Sequence, residues 1–161
     1  MATNSVLFLS VDYLRDNTVI NGNVDSELLE PRILLAQNVH IEPCVGTKIY
    51  NDLIANIAAL PANDKILMDD YIQPALLEWS VYESLPFTNY RLTNKAISTK
   101  SSDKSEAVEL DELHYLRESV RNTAEYLSQR ITVYIKANPT LYPLYFTNGT
   151  SCDEIQPNKT N

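Results

Sequence analysis

Two histidines, two cysteines and many carboxylates are the side chains of this chain that could do chemistry. A transition-metal site needs imidazoles and thiolates at spacings that bring them onto one helix face or one turn. His40 and His114 stand far apart with no such companion, and Cys44 and Cys152 belong to no CxxC pair. We read His40 as a partly buried core residue, His114 as a helix-surface residue and both cysteines as free thiols of a reducing compartment. No metal and no cofactor are expected. A catalytic carboxylate pair needs two acids converging in one pocket with separated pKa values. A deep pocket between the helices with two converged acids of Asp70, Glu78 and Glu118 would revive an enzyme. Glu109, Asp111 and Glu112 have a plainer use at the start of a long helix, where negative charge complements the macrodipole and caps free N–H groups. Gly22, Gly46 and Gly149 are isolated, so no glycine-rich phosphate cradle exists, and no Ser or Cys has a recognisable base beside it. The expectation is a protein that does not catalyse.

The elements that must carry these side chains are helices. At 161 residues with 44% hydrophobic content, the chain can bury one core, and only 3 glycines argue against a turn-rich β fold. The stretch from Asp25 to Leu60 reads as two amphipathic helices meeting at Pro43-Cys44-Val45-Gly46. Pro43 lacks an N–H and pushes Glu42 out of helical geometry, Gly46 accepts a positive φ, and Thr47 caps the next helix. Asp25 or Ser26 caps the first, with Pro31 admitted only if regular helix starts near Glu30.

Before this corner, Val6 to Leu14 reads as an extended lead-in, either a short strand or a docking arm. After it, Asn63 or Asp64 caps a third helix running to about Ser84, with Met68, Tyr71, Ile72, Ala75, Leu76, Trp79 and Tyr82 as its core stripe and a kink at Pro74. Leu85-Pro86 ends that helix. Phe87 to Val108 reads as an extended arm or β-hairpin with an exposed tip near Lys100 to Lys104. A long helix follows from Leu110 to about Ala137, on the recurrence of Leu113, Leu116, Val120, Ala124, Leu127, Ile131 and Ile135, and Asn138-Pro139 stops it. Its exposed side offers ion pairs of Glu118 or Glu125 with Arg121, and of Glu112 with Arg117. The predicted architecture is an all-α bundle of about four main helices, with a domain at 1–137 and an extended tail at 138–161. The aromatic opening of that tail, which holds Tyr142, Tyr145 and Phe146, is a segment that docks, on its own body or on a neighbour.

The formal net charge of −8 and pI near 4.7 disfavour binding to nucleic-acid phosphates. Val6 to Leu9 is too short for a signal segment, and no run approaches the ~20 apolar residues of a membrane span. Synthesis in a cytoplasm and no membrane contact are expected.

Asn23-Val24-Asp25, Ile33-Leu34-Leu35-Ala36-Gln37, Pro43 to Tyr50, Tyr71 to Leu76, Thr88 to Lys95, Leu116-Arg117 and Ala124-Glu125-Tyr126 together resemble the head–tail connector (adaptor) proteins of tailed bacteriophages, in the form carried by crAss-like phages. The resemblance covers about Leu7 to Tyr142. It implies a virion protein at the head–tail interface: a homo-oligomeric ring, a dodecamer in the usual family pattern, below the portal protein. Such a ring extends the DNA channel and docks neighbouring neck or tail proteins, and DNA passes without specific binding. The inserted arm and the C-terminal arm carry the contacts. Here that points to Tyr90, Arg91, Leu92, Lys95 and Ile97, and to Tyr142, Tyr145 and Phe146; the alternative for the first group is a hairpin folded back on its own bundle. A different reading of the whole chain is a helical protein-binding scaffold or regulatory module.

Overall fold

The computed structural model describes residues 6–20, 24–93, 96–99 and 110–147, those at 88–93, 96–99 and 110–112 by backbone alone. The fold is all-α, with one small hairpin. The first helix, α1 (Val11–Asn17), opens at Ser10, whose Oγ accepts from the Tyr13 N–H at 3.1 Å, with Asp12 in the first turn. The expected extended lead-in is therefore helical from Val11 onward, and it buries Val11 and Leu14. Two buried or half-buried glutamines hold the chain ahead of it. Gln37 accepts from Phe8 N (2.8 Å) and donates to Val6 O (3.0 Å), while Gln73 donates to Phe8 O (3.0 Å).

The second helix, α2 (Ser26–Ala36), has Asp25 as its N-cap residue and runs through Pro31 rather than starting at Glu30. The carbonyl that loses a partner to Pro31 belongs to Glu27, and both residues are exposed, so water can satisfy it. The rod does not break at Pro43 either. A π-helical turn (Gln37–Ile41) leads into α3 (Glu42–Val45), and Glu42 keeps φ −52° and ψ −46° although a proline follows. A proline ring clashes with the carbonyl four residues back, and a widened turn just upstream makes room for it. The chain turns at Gly46 instead, at φ +80° and ψ 144°. Gly46 is itself the N-cap residue of α4 (Thr47–Asn56), so Thr47 is the first helical residue and not the cap; its hydroxyl donates to Glu42 Oε1 at 3.1 Å.

The same arrangement recurs in the next rod. Helix α5 (Ala62–Ile66) opens after Pro61, with no side-chain cap from Asn63 or Asp64. A π-helical turn (Leu67–Ile72) precedes Pro74, where a kink was expected, and α6 (Gln73–Asn89) follows. Helix α6 also passes through Pro86, so the end predicted at Leu85-Pro86 is displaced to Asn89. The Tyr82 carbonyl, which loses the N–H of residue 86, accepts instead from Arg117 Nε at 3.4 Å, and the Arg117 guanidinium lies 4.2 Å from the centre of the Tyr82 ring.

The inserted arm begins at Tyr90, not Phe87. Strands β1 (Tyr90–Thr93) and β2 (Ala96–Thr99) pair antiparallel, Tyr90 with Thr99 and Leu92 with Ile97. The ladder reverses between Thr93 and Ala96, ahead of the tip expected at Lys100 to Lys104, a stretch that lies outside the described residues. Helix α7 (Leu110–Ala137) has the expected bounds. Asn138 closes it, its N–H donating to Ile135 O (3.1 Å) and its Nδ2 to Tyr134 O (2.8 Å). A short helix, α8 (Pro143–Phe146), then packs on α4.

Helix α6 is the centre of the molecule: it packs against α2 on one side and α7 on the other. Ile33, Ile41, Ile72, Leu76, Ile131 and Ile135 are fully buried between these rods. Each such side chain contributes about 1.5–3 kcal/mol relative to exposure. The predicted stripe of the third helix is core as read, with Met68, Ile72, Ala75, Leu76 and Trp79 buried and Tyr71 and Tyr82 half-buried.

Candidate functional site

His40 is a core residue, as read, and it and Cys44 are used in packing. His40 stacks on Trp79, ring centres 3.6 Å apart and planes 2° from parallel, and its Nε2 meets Glu83 Oε1 at 2.9 Å. Trp79 Nε1 donates to Ser128 Oγ at 2.8 Å. The Cys44 thiol donates to His40 O at 3.1 Å, and burial pushes it above its ordinary pKa, opposed in part by Ser128. These groups form a polar seam joining the π-helical turn Gln37–Ile41, α3, α6 and α7. A thiol held protonated in this way is a poor nucleophile.

Asp70 and Glu118 face solvent while Glu78 is half-buried on α6, so the three acids do not close a common pocket. Glu118 pairs with the exposed His114 (3.7 Å), and Arg121 with Glu125 (3.2 Å). Arg117 is turned inward onto Tyr82, and the pair read for it with Glu112 involves a side chain that lies outside the described residues. Among the described residues no group of His, Cys, Asp and Glu is arranged to hold a metal ion.

The predicted interface residues divide. Tyr90, Arg91 and Leu92 lie on β1 and Ile97 on β2, whereas Lys95 is outside the described residues. The aromatic tail docks on its own body. Tyr142, expected at an interface, is 3% exposed, and its hydroxyl donates to Asn63 O at 2.9 Å. Burial raises the Tyr142 hydroxyl well above its ordinary pKa, with Tyr134 and Asp64 adding to the effect. The Tyr145 ring covers Gly46, and Lys48 Nζ reaches Thr147 Oγ1 at 3.3 Å. Of this group Phe146 alone is mostly exposed.

Two apolar faces that the sequence reading missed remain uncovered by any described residue. The first is a groove of about 410 Å³ along the C-terminal half of α7, lined by Tyr71, Tyr126, Arg130, Val133, Tyr134 and Ala137. Tyr71 and Tyr134 stack at 4.2 Å, and the Arg130 guanidinium sits 5.3 Å from the Tyr71 ring centre. Tyr126 and Val133 are 62% and 66% exposed. The signal was the apolar residues left over once the buried stripe of α7 was taken out. The second face runs along α2 and α3, where Pro31, Leu35, Val39 and Pro43 are all exposed. Their four-residue spacing makes one line only because the helix continues through a π turn, so a break assumed at Pro43 concealed it.

The model of a family of unknown function, DUF6712, matches residues 41–155, more than two thirds of the chain. No curated protein and no solved structure matches it.

Proposed function

We propose, for a chain that belongs to the DUF6712 family, that it is a structural head–tail connector (adaptor) of a tailed phage. In this reading it forms an oligomeric ring below the portal protein, extends the DNA channel and docks neighbouring neck or tail proteins, without catalysis. The observation that carries the reading is the hairpin β1–β2, inserted between the two longest helices and continuous with α6. A hairpin alone is marginal in water, and two strands gain stability by packing against something further. The resemblance of the sequence to phage connectors, which place an inserted arm between their last two helices, supports the same role. Two exposed apolar faces on so small a body add to it, since a monomer has little use for them.

The test is light scattering on the purified chain, alone and with the portal protein encoded beside it. A closed high-order oligomer, or a stable complex with the portal, is the expected result. A monomer that ignores the portal would remove the connector role and leave a helical scaffold that binds another partner.

A further inference from the structure

We infer that the groove on α7 receives the Pro31–Leu35–Val39–Pro43 line of a second copy of this chain, so that copies join head to tail. The inference rests on the oligomeric reading above and specifies its seam.

Three observations carry it. First, the two faces lie on different flanks of one body. Around the axis of α7, Thr132 turns toward α3, its Oγ1 donating to Cys44 O at 3.5 Å, whereas Arg130 and Tyr134 lie on the other side of buried Ile131, against Tyr71. The groove therefore faces away from the rod that carries the apolar line. Second, the shapes are of matching kind: one face is a concave strip along α7 with aromatic walls, the other a ridge of two prolines and two branched aliphatics. Third, the charges are complementary. From Tyr126 to Ala137 the chain carries Arg130 and Lys136 and no acid, in a protein whose net charge is −8. The rod bearing the ridge carries exposed Glu27 and Glu30 and half-buried Glu42, while its Arg32 lies 4.0 Å over the Phe87 ring and away from that face.

Two different patches on separate flanks make a heterologous contact, in which each copy uses its groove on one neighbour and its ridge on the other. Repetition of such a contact closes a ring when the rotation permits, whereas a self-complementary patch stops at a dimer.

The test uses full-length chain and two variants, Val133→Glu in the groove and Leu35→Glu with Val39→Glu on the ridge. All three side chains are more than a third exposed, so the fold is retained, which far-UV circular dichroism checks. Light scattering is expected to give an oligomer for the unaltered chain, a monomer for each variant, and a species of twice the chain mass for their equimolar mixture. Each variant supplies the face that the other has lost, so the mixture stops at one contact. An unaltered oligomer in both variants would overturn the seam while leaving the ring intact. Variants that turn monomeric but do not pair on mixing would overturn the head-to-tail geometry. An unaltered chain that stays monomeric would overturn the seam as well, and its capture by the portal protein in a parallel run would preserve the connector role.

Discussion

Glu78 is half-buried on α6, and burial holds its carboxyl above the ordinary value of 4.5. A group whose pKa is raised on folding favours the native state while it is protonated, and that contribution is lost as the pH rises above its unfolded value through the folded one. Glu78 is thus a small liability at neutral pH. Glu78→Gln is expected to raise Tm modestly at pH 7, with the gain shrinking to nothing below pH 4.5, as thermal melts at the two pH values would show. Gln37 is the opposite case, a buried polar side chain with both N–H groups and its carbonyl oxygen in use. Its amide serves Phe8 N, Val6 O and the Tyr50 hydroxyl, which in turn donates to Asn38 Oδ1. Removing it would orphan buried backbone groups, each costing about 1–3 kcal/mol. Gln37→Leu is therefore expected to lower the denaturation midpoint well beyond the effect of Tyr50→Phe, measured by urea titration.

At the level of elements, α7 separates what periodicity reveals from what it hides. Ile131 and Leu116 both fall on the apolar recurrence that marks this helix, yet Ile131 is fully buried and Leu116 is 42% exposed. Ile131→Ala should cost about 2–5 kcal/mol by leaving a cavity, while Leu116→Ala should stay within about 0.5 kcal/mol; chemical denaturation of both variants checks the contrast. The bounds of α7 were legible because its stripe is long and Asn138-Pro139 ends it plainly. The rods containing Pro31, Pro43, Pro74 and Pro86 were not, since Pro43 and Pro86 read locally as stops, Pro31 as a late start and Pro74 as a kink. What carries the helix past them is tertiary: water on an exposed carbonyl, a π turn, or Arg117 reaching across from another helix. Helix α1 was missed for a smaller reason, a Ser10 cap followed by only seven helical residues. The candidate site was half legible. Tyr142 was singled out correctly as a residue that docks, but it docks inward, and sequence alone cannot tell a molecule's own core from its neighbour's. The groove and ridge needed the burial of every other face to become visible.

Across the whole molecule, charge decides which partners are admitted. A net charge of −8 over 161 residues disfavours binding to a polyphosphate. Duplex DNA is expected to migrate unretarded in a gel shift at physiological salt, at protein concentrations where a phosphate-binding ring would hold it. Retention would mean a basic lining and would contradict a channel through which DNA slides. The three-rod arrangement has a mechanical meaning as well. Strand β1 begins at the residue after α6 ends, with no loop between them, and α6 is the rod gripped on both sides. The hairpin is thus a handle fixed to the shaft of the molecule. Near its root the Arg117 clamp ties α6 to α7. A pull on the hairpin is delivered to the best-packed helix and shared with its neighbours, so the load is carried by the core and not by a tether.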